Sequence, residues 1–150
     1  MKTIDIQLTQ NFYLSEFCTT SQNFEFFKMP IEYFENIKHL ANLLQKLRDY
    51  MKKPVKISSG YRPEALNAMV DGVKNSYHLV GAAADIYFEN DDEFDKAWSF
   101  LEIKFENFLF ADIYDIAELL GCPKNKWLHI SVNCLQRPDK HLINKFYYKS

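Results

Sequence analysis

Apolar residues recur every three or four positions through the first long segment. Phe34, Ile37, Leu40, Ala41, Leu44 and Leu47 fall on one stripe, which predicts an amphipathic helix over 31–51. Pro30 stands at its start, where a missing N–H is harmless, and Pro54 stops it. Glu32 and Glu35 suit the positive end of its dipole, as Lys46, Arg48, Lys52 and Lys53 suit the negative end. His39 lies off the stripe and reads as solvated. The pattern then shortens. Residues 55–59 alternate like a strand and Gly60 turns the chain. A short helix is expected over 63–70, and Asp71-Gly72 marks a turn. Residues 83–88 predict a second strand. Asp91 or Asp92 then caps an amphipathic helix through Phe94, Ala97, Trp98 and Leu101. Two more strands are expected over 108–116 and 127–133, separated by a polar turn around Gly121, Pro123, Lys124 and Asn125. A last helix is expected around 142–147, and residues 11–17 read as an arm laid over the core. Helices early and strands late, with hairpin-length connections, predict an α+β fold: a small antiparallel sheet with helices on one side.

Composition narrows the class without changing that picture. The 150 residues suffice for one domain, 1–150, with its own hydrophobic core. Apolar residues at 47% and charged residues at 25% are ordinary for a globular chain. A formal net charge of −2 gives no basic surface for nucleic acid. Cys18, Cys122 and Cys134 show no C-x-x-C spacing and read as three unpaired thiols of a reducing compartment, Cys134 facing the core. The first residues lack an uninterrupted apolar core, so no signal peptide is expected, and no run is long enough to span a bilayer. The expectation is synthesis in the cytoplasm, with action elsewhere only after release. Nothing at coiled-coil spacing asks for assembly, so a monomer is expected.

The candidate chemistry gathers in Ser76-Tyr77-His78-Leu79-Val80-Gly81-Ala82-Ala83-Ala84-Asp85 and in Trp127-Leu128-His129-Ile130-Ser131-Val132. If the two strands are neighbours, Asp85 and His129 share one face, and Gly81 lets the loop carrying His78 bend back toward them. Two imidazoles and one carboxylate are the usual ligands of a catalytic zinc with one position open for water. Taken singly, His78 and His129 could be structural histidines, and Asp85 could end a loop with a backbone hydrogen bond.

Together with Ser58-Ser59-Gly60-Tyr61-Arg62, Leu66-Asn67 and the arm Phe12-Tyr13-Leu14-Ser15-Glu16-Phe17, these pieces resemble the zinc D-Ala-D-Ala peptidases. These are the M15 peptidases, and the likeness is to their short bacterial and phage branch. The resemblance runs along nearly the whole chain, and its specific part is S-x-H-x-x-G-x-A-x-D at 76–85. It implies the hedgehog/DD-peptidase fold, with Zn2+ held by His78, Asp85 and His129. It also implies a peptidoglycan stem peptide as substrate, cut by carboxypeptidase or endopeptidase action. Arg62 takes the place of the arginine that grips a substrate carboxylate, for which a planar guanidinium is suited. Ser76 donates to the substrate or caps the local turn. Many relatives carry a glutamate three residues before the last histidine, where this chain has Lys126. The short branch often has an Ile-Tyr-Glu-like strand upstream, and Ile113-Tyr114-Asp115 occupies that place, so the resemblance implies Asp115 as the general base, with Asp112 as its rival. The alternative is a module of the same fold that holds a metal and binds wall peptides or proteins without cutting them.

Overall fold

The computed structural model describes residues 5–18, 29–106, 114–138 and 141–144. A 3-10 turn, Ile31–Tyr33, leads into α1, Phe34–Met51. Of the predicted stripe, Ile37, Leu40, Ala41, Leu44 and Leu47 are fully buried. Each leucine or isoleucine so buried contributes about 1.5–3 kcal/mol relative to exposure. The helix ends where Lys52 adopts a left-handed conformation, its N–H bonded to Arg48 O. The short strand β1, Ile57–Ser59, and helix α2, Glu64–Met69, follow as expected. Strand β2 is Ala83–Tyr87 and helix α3 is Asp91–Glu106. The cap of α3 is Asn90 rather than Asp91 or Asp92: its side-chain oxygen accepts from Glu93 N–H at 2.9 Å.

The second half departs from the predicted register. Strand β3 is Ile116–Cys122, so Gly121 lies inside a strand rather than in a turn. Every residue of β3 is buried, so the segment lacks the alternation that would mark it. Of the strand expected over 108–116, residues 108–113 lie outside the described ones, and Tyr114 and Asp115 precede β3. A 3-10 turn, Pro123–Asn125, joins β3 to β4, Trp127–Val132. Leu142–Asn144 is a strand, β5, where a helix was expected; the rest of that expected helix lies outside the described residues.

The sheet order is β1-β2-β4-β3-β5, antiparallel except for the β3–β5 pair. Helices α1 and α3 join Ala84, Ile86, Leu119, Leu128 and Ile130 in one core, so both pack against the same face of the sheet. The opposite face carries Asp85, His129 and Glu118. The fold class is thus α+β, as the pattern predicts. Cys18, Cys122 and Cys134 are buried and not in disulfides. His39 is only partly buried and stacks on Tyr114 with ring centres 3.7 Å apart.

Candidate metal centre

Each residue of the candidate centre is placed by a local device. Ser76 caps the 3-10 turn Tyr77–Val80, its hydroxyl oxygen accepting from His78 N–H at 3.1 Å. Gly81 then adopts φ +71°, a conformation that costs a residue with a side chain, and sends the chain back into β2. That reversal lays His78 over the strand that carries Asp85. Asp85 and His129 are directly paired across β2 and β4.

The three side chains converge. Their ligand atoms all lie within 4.8 Å of one another, and all three residues are buried. Asp85 Oδ1 stands 2.9 Å from His129 Nδ1 and 3.2 Å from His78 Nε2. In a tetrahedral zinc site with bonds of about 2.0–2.1 Å, ligand atoms stand roughly 3.3 Å apart.

The hydrogen bonds behind these atoms test whether the set fits a cation. A carbonyl only accepts, so the 2.6 Å contact of His78 Nδ1 with Gly60 O places the proton on Nδ1. Burial lowers the His78 pKa, and the charge of Asp85 only partly opposes it, so the ring is neutral. Its Nε2 lone pair then faces a carboxylate oxygen, an arrangement that a shared cation satisfies. His129 differs. Burial would lower its pKa, but hydrogen bonds to Asp85 and Glu118 outweigh this and push it up to about 9. Burial alone would raise the Asp85 carboxyl, yet the hydrogen bond and charge of protonated His129 hold it well below the usual carboxylate range. In the metal-free protein a proton on His129 Nδ1 thus supplies part of the positive charge that a cation would bring. The donor set fits a divalent metal.

Arg62 is more engaged than the sequence implies. Its Nε donates to Ser59 Oγ at 3.0 Å, Nη1 to Asn67 Oδ1 at 3.2 Å, and Nη2 to Asp85 Oδ2 at 3.1 Å. The guanidinium therefore steadies the oxygen of Asp85 that does not face the histidines. Two of its five N–H groups are left over by these bonds. Arg62, Ser76 and the three candidate ligands all line one cavity of about 170 Å³.

Asp115 does not line that cavity; among the described residues the carboxylates that do are Asp71, Asp85 and Glu118. The reason is register. Strand β3 begins at Ile116, and Asp115 precedes it, its carbonyl accepting from Asn133 N–H at 2.8 Å. A bulge between Ile116 and Glu118 then turns Glu118 toward the site. Asp112 lies outside the described residues. Glu118 was missed by sequence reasoning, although a lone carboxylate in the apolar run Ile116-Ala117-Glu118-Leu119-Leu120 is a signal. A charge buried in such a run needs partners. Lys126 closes the β3–β4 connection in a left-handed conformation, its ammonium 3.9 Å from Asp91.

Residues 10–131 match the family described as Peptidase M15. The match spans most of the chain, and the chain belongs to that family. Membership supports a metallopeptidase, and peptidases of this family are zinc-dependent. No curated protein matches the chain. Among the described residues no helix is long and apolar enough to cross a membrane.

Proposed function

We propose that this protein is a zinc peptidase that hydrolyses peptidoglycan stem peptides near a D-amino acid, the zinc being held by His78, Asp85 and His129. The observation that carries the reading is the convergence of those three ligand atoms within 4.8 Å, in a chain of the M15 family. Zinc bound there polarises a scissile carbonyl and acidifies water beside it. The chain's own groups supply the rest. Arg62 offers its remaining N–H groups to a substrate carboxylate while it holds Asp85. Ser76, whose oxygen accepts from His78 N–H, keeps its own O–H to donate to a substrate oxygen. Burial of the triad keeps bulk water from competing for these contacts. As an enzyme the protein also needs a proton acceptor in the cavity, and Asp115 does not line it. A single domain acting as a monomer, on the wall after release from the cell, completes the proposal.

A second reading is favoured by the position of Asp115 outside the cavity and of Lys126 where many relatives carry a glutamate. On that reading the metal-bearing cavity binds wall peptides without cutting them. The deciding experiment incubates the zinc-loaded protein with purified peptidoglycan, with and without a chelator, and identifies released fragments by mass. Chelator-sensitive fragments support the peptidase and name the bond cut. Zinc binding with no cleavage of wall or of D-Ala-D-Ala peptides supports the binding module.

A further inference from the structure

We infer that Glu118 is the positioning residue for His129: its carboxylate accepts the Nε2–H and thereby leaves Nδ1 as the atom that meets the metal. The inference rests on His78, Asp85 and His129 being metal ligands, and concerns how this chain makes one of them competent. An imidazole has two nitrogens, and only the one without a proton can coordinate; the hydrogen bond made by the other decides which.

For His78 the main chain makes that choice, through Gly60 O. Among the described residues no such carbonyl is bonded to the His129 ring. Instead His129 Nε2 stands 3.2 Å from Glu118 Oε1, on the side of the ring away from the Nδ1 contact with Asp85. The same Glu118 oxygen accepts from Ser131 Oγ–H at 3.1 Å. Glu118 and Ser131 are a direct cross-strand pair on β3 and β4, so the carboxylate is set by the sheet itself. Ser131 is fully buried, and Glu118 and His129 are each 8% exposed. The bulge between Ile116 and Glu118 aims the side chain at the ring of a residue two positions along β4 from its own partner. A negative oxygen there also makes the ring a more basic ligand.

The test measures zinc affinity of the metal-free full chain by competition with a chromophoric chelator, for wild type, Glu118→Gln and Glu118→Leu. Glutamine keeps an oxygen acceptor and leucine does not. Glu118→Leu is expected to bind zinc about 10–100-fold more weakly, with Glu118→Gln restoring most of the loss. Histidine nitrogen NMR of the zinc-loaded wild type provides an independent readout: His129 is expected to carry its proton on Nε2. This reading stands even if Glu118→Leu fails to fold. Wild-type affinity in Glu118→Leu, or a proton on Nδ1 in the zinc-loaded wild type, overturns the inference while leaving the metal site intact. A wild-type protein that takes up no zinc overturns the metal site itself, and this inference with it.

Discussion

Gly60 is where the fold and the candidate site depend on the same atoms, and Gly60→Ala tests that dependence. A Cβ at this position would lie 2.5 Å from Phe17 O, 2.8 Å from Phe17 Cα and 2.9 Å from Phe17 C. All three are main-chain atoms of the N-terminal arm, so no rotamer change clears them. Carbon atoms pack at about 3.5–4.0 Å, so arm and strand must separate by about 1 Å. The arm cannot swing away freely, because Phe12 and Phe17 are buried in the core. Separation also stretches the 2.7 Å bond from Tyr61 N–H to Phe17 O. Overpacking costs about 1–3 kcal/mol and the weakened hydrogen bond about 1 kcal/mol. The sum of about 2–4 kcal/mol corresponds to a fall in melting temperature of roughly 5–15 °C for a chain of this size. Gly60 O also accepts from His78 Nδ1–H, so the same shift disturbs a candidate ligand. Zinc affinity is expected to fall about tenfold or more. Thermal unfolding and chelator competition on wild type, Gly60→Ala and Ile31→Ala measure both effects. Ile31 is 91% exposed, and its truncation should change stability by no more than about 0.5 kcal/mol. A Gly60→Ala protein that melts with the wild type and binds zinc equally well refutes the argument that the arm braces the site.

Metal binding should depend on pH through His129, whose pKa stands at about 9 in the metal-free protein. A cation must displace that proton, so zinc affinity should rise about tenfold per pH unit below about 9 and then level off. Chelator competition across this range checks it, and a flat profile contradicts it. Stability of the metal-free protein has the opposite trend. A folded pKa raised above the unfolded value of 6.5 stabilises fully below 6.5, and that contribution is lost as pH rises through about 9. Denaturation midpoints that instead rise over this interval would count against the His129 ion pairs. Arg62→Ala removes the hydrogen bonds to Ser59, Asn67 and Asp85 and should lower the stability of the metal-free protein by about 2–3 kcal/mol, read from chemical unfolding. An unchanged midpoint would show that the bond to Asp85 does not hold the site. With a cleavable wall peptide, the same variant should chiefly raise KM.

What could be read from the chain was what depends on near neighbours. The stripe from Ile37 to Leu47 specifies α1 because helical period is a local property. The His78–Asp85 spacing is short enough that one capped turn and one left-handed glycine bring the loop back onto the strand. His129 could be joined to them because a histidine in an apolar strand, next to a family-like tryptophan, carries its own signal. The acid beside the triad could not be found that way. Strand β3 is buried on both faces, so its sequence lacks the alternation that would reveal its register, and Glu118 is not marked out from Asp115. Only the pairing of β3 with β4, and the bulge before Glu118, decide which carboxylate reaches His129. Arg62 shows the same division. Its residue type announces an anion partner, but the fold makes Asp85 one of them. A side chain's chemistry belongs to the sequence, whereas its partner depends on strand register, which a single-residue slip would turn to the opposite face.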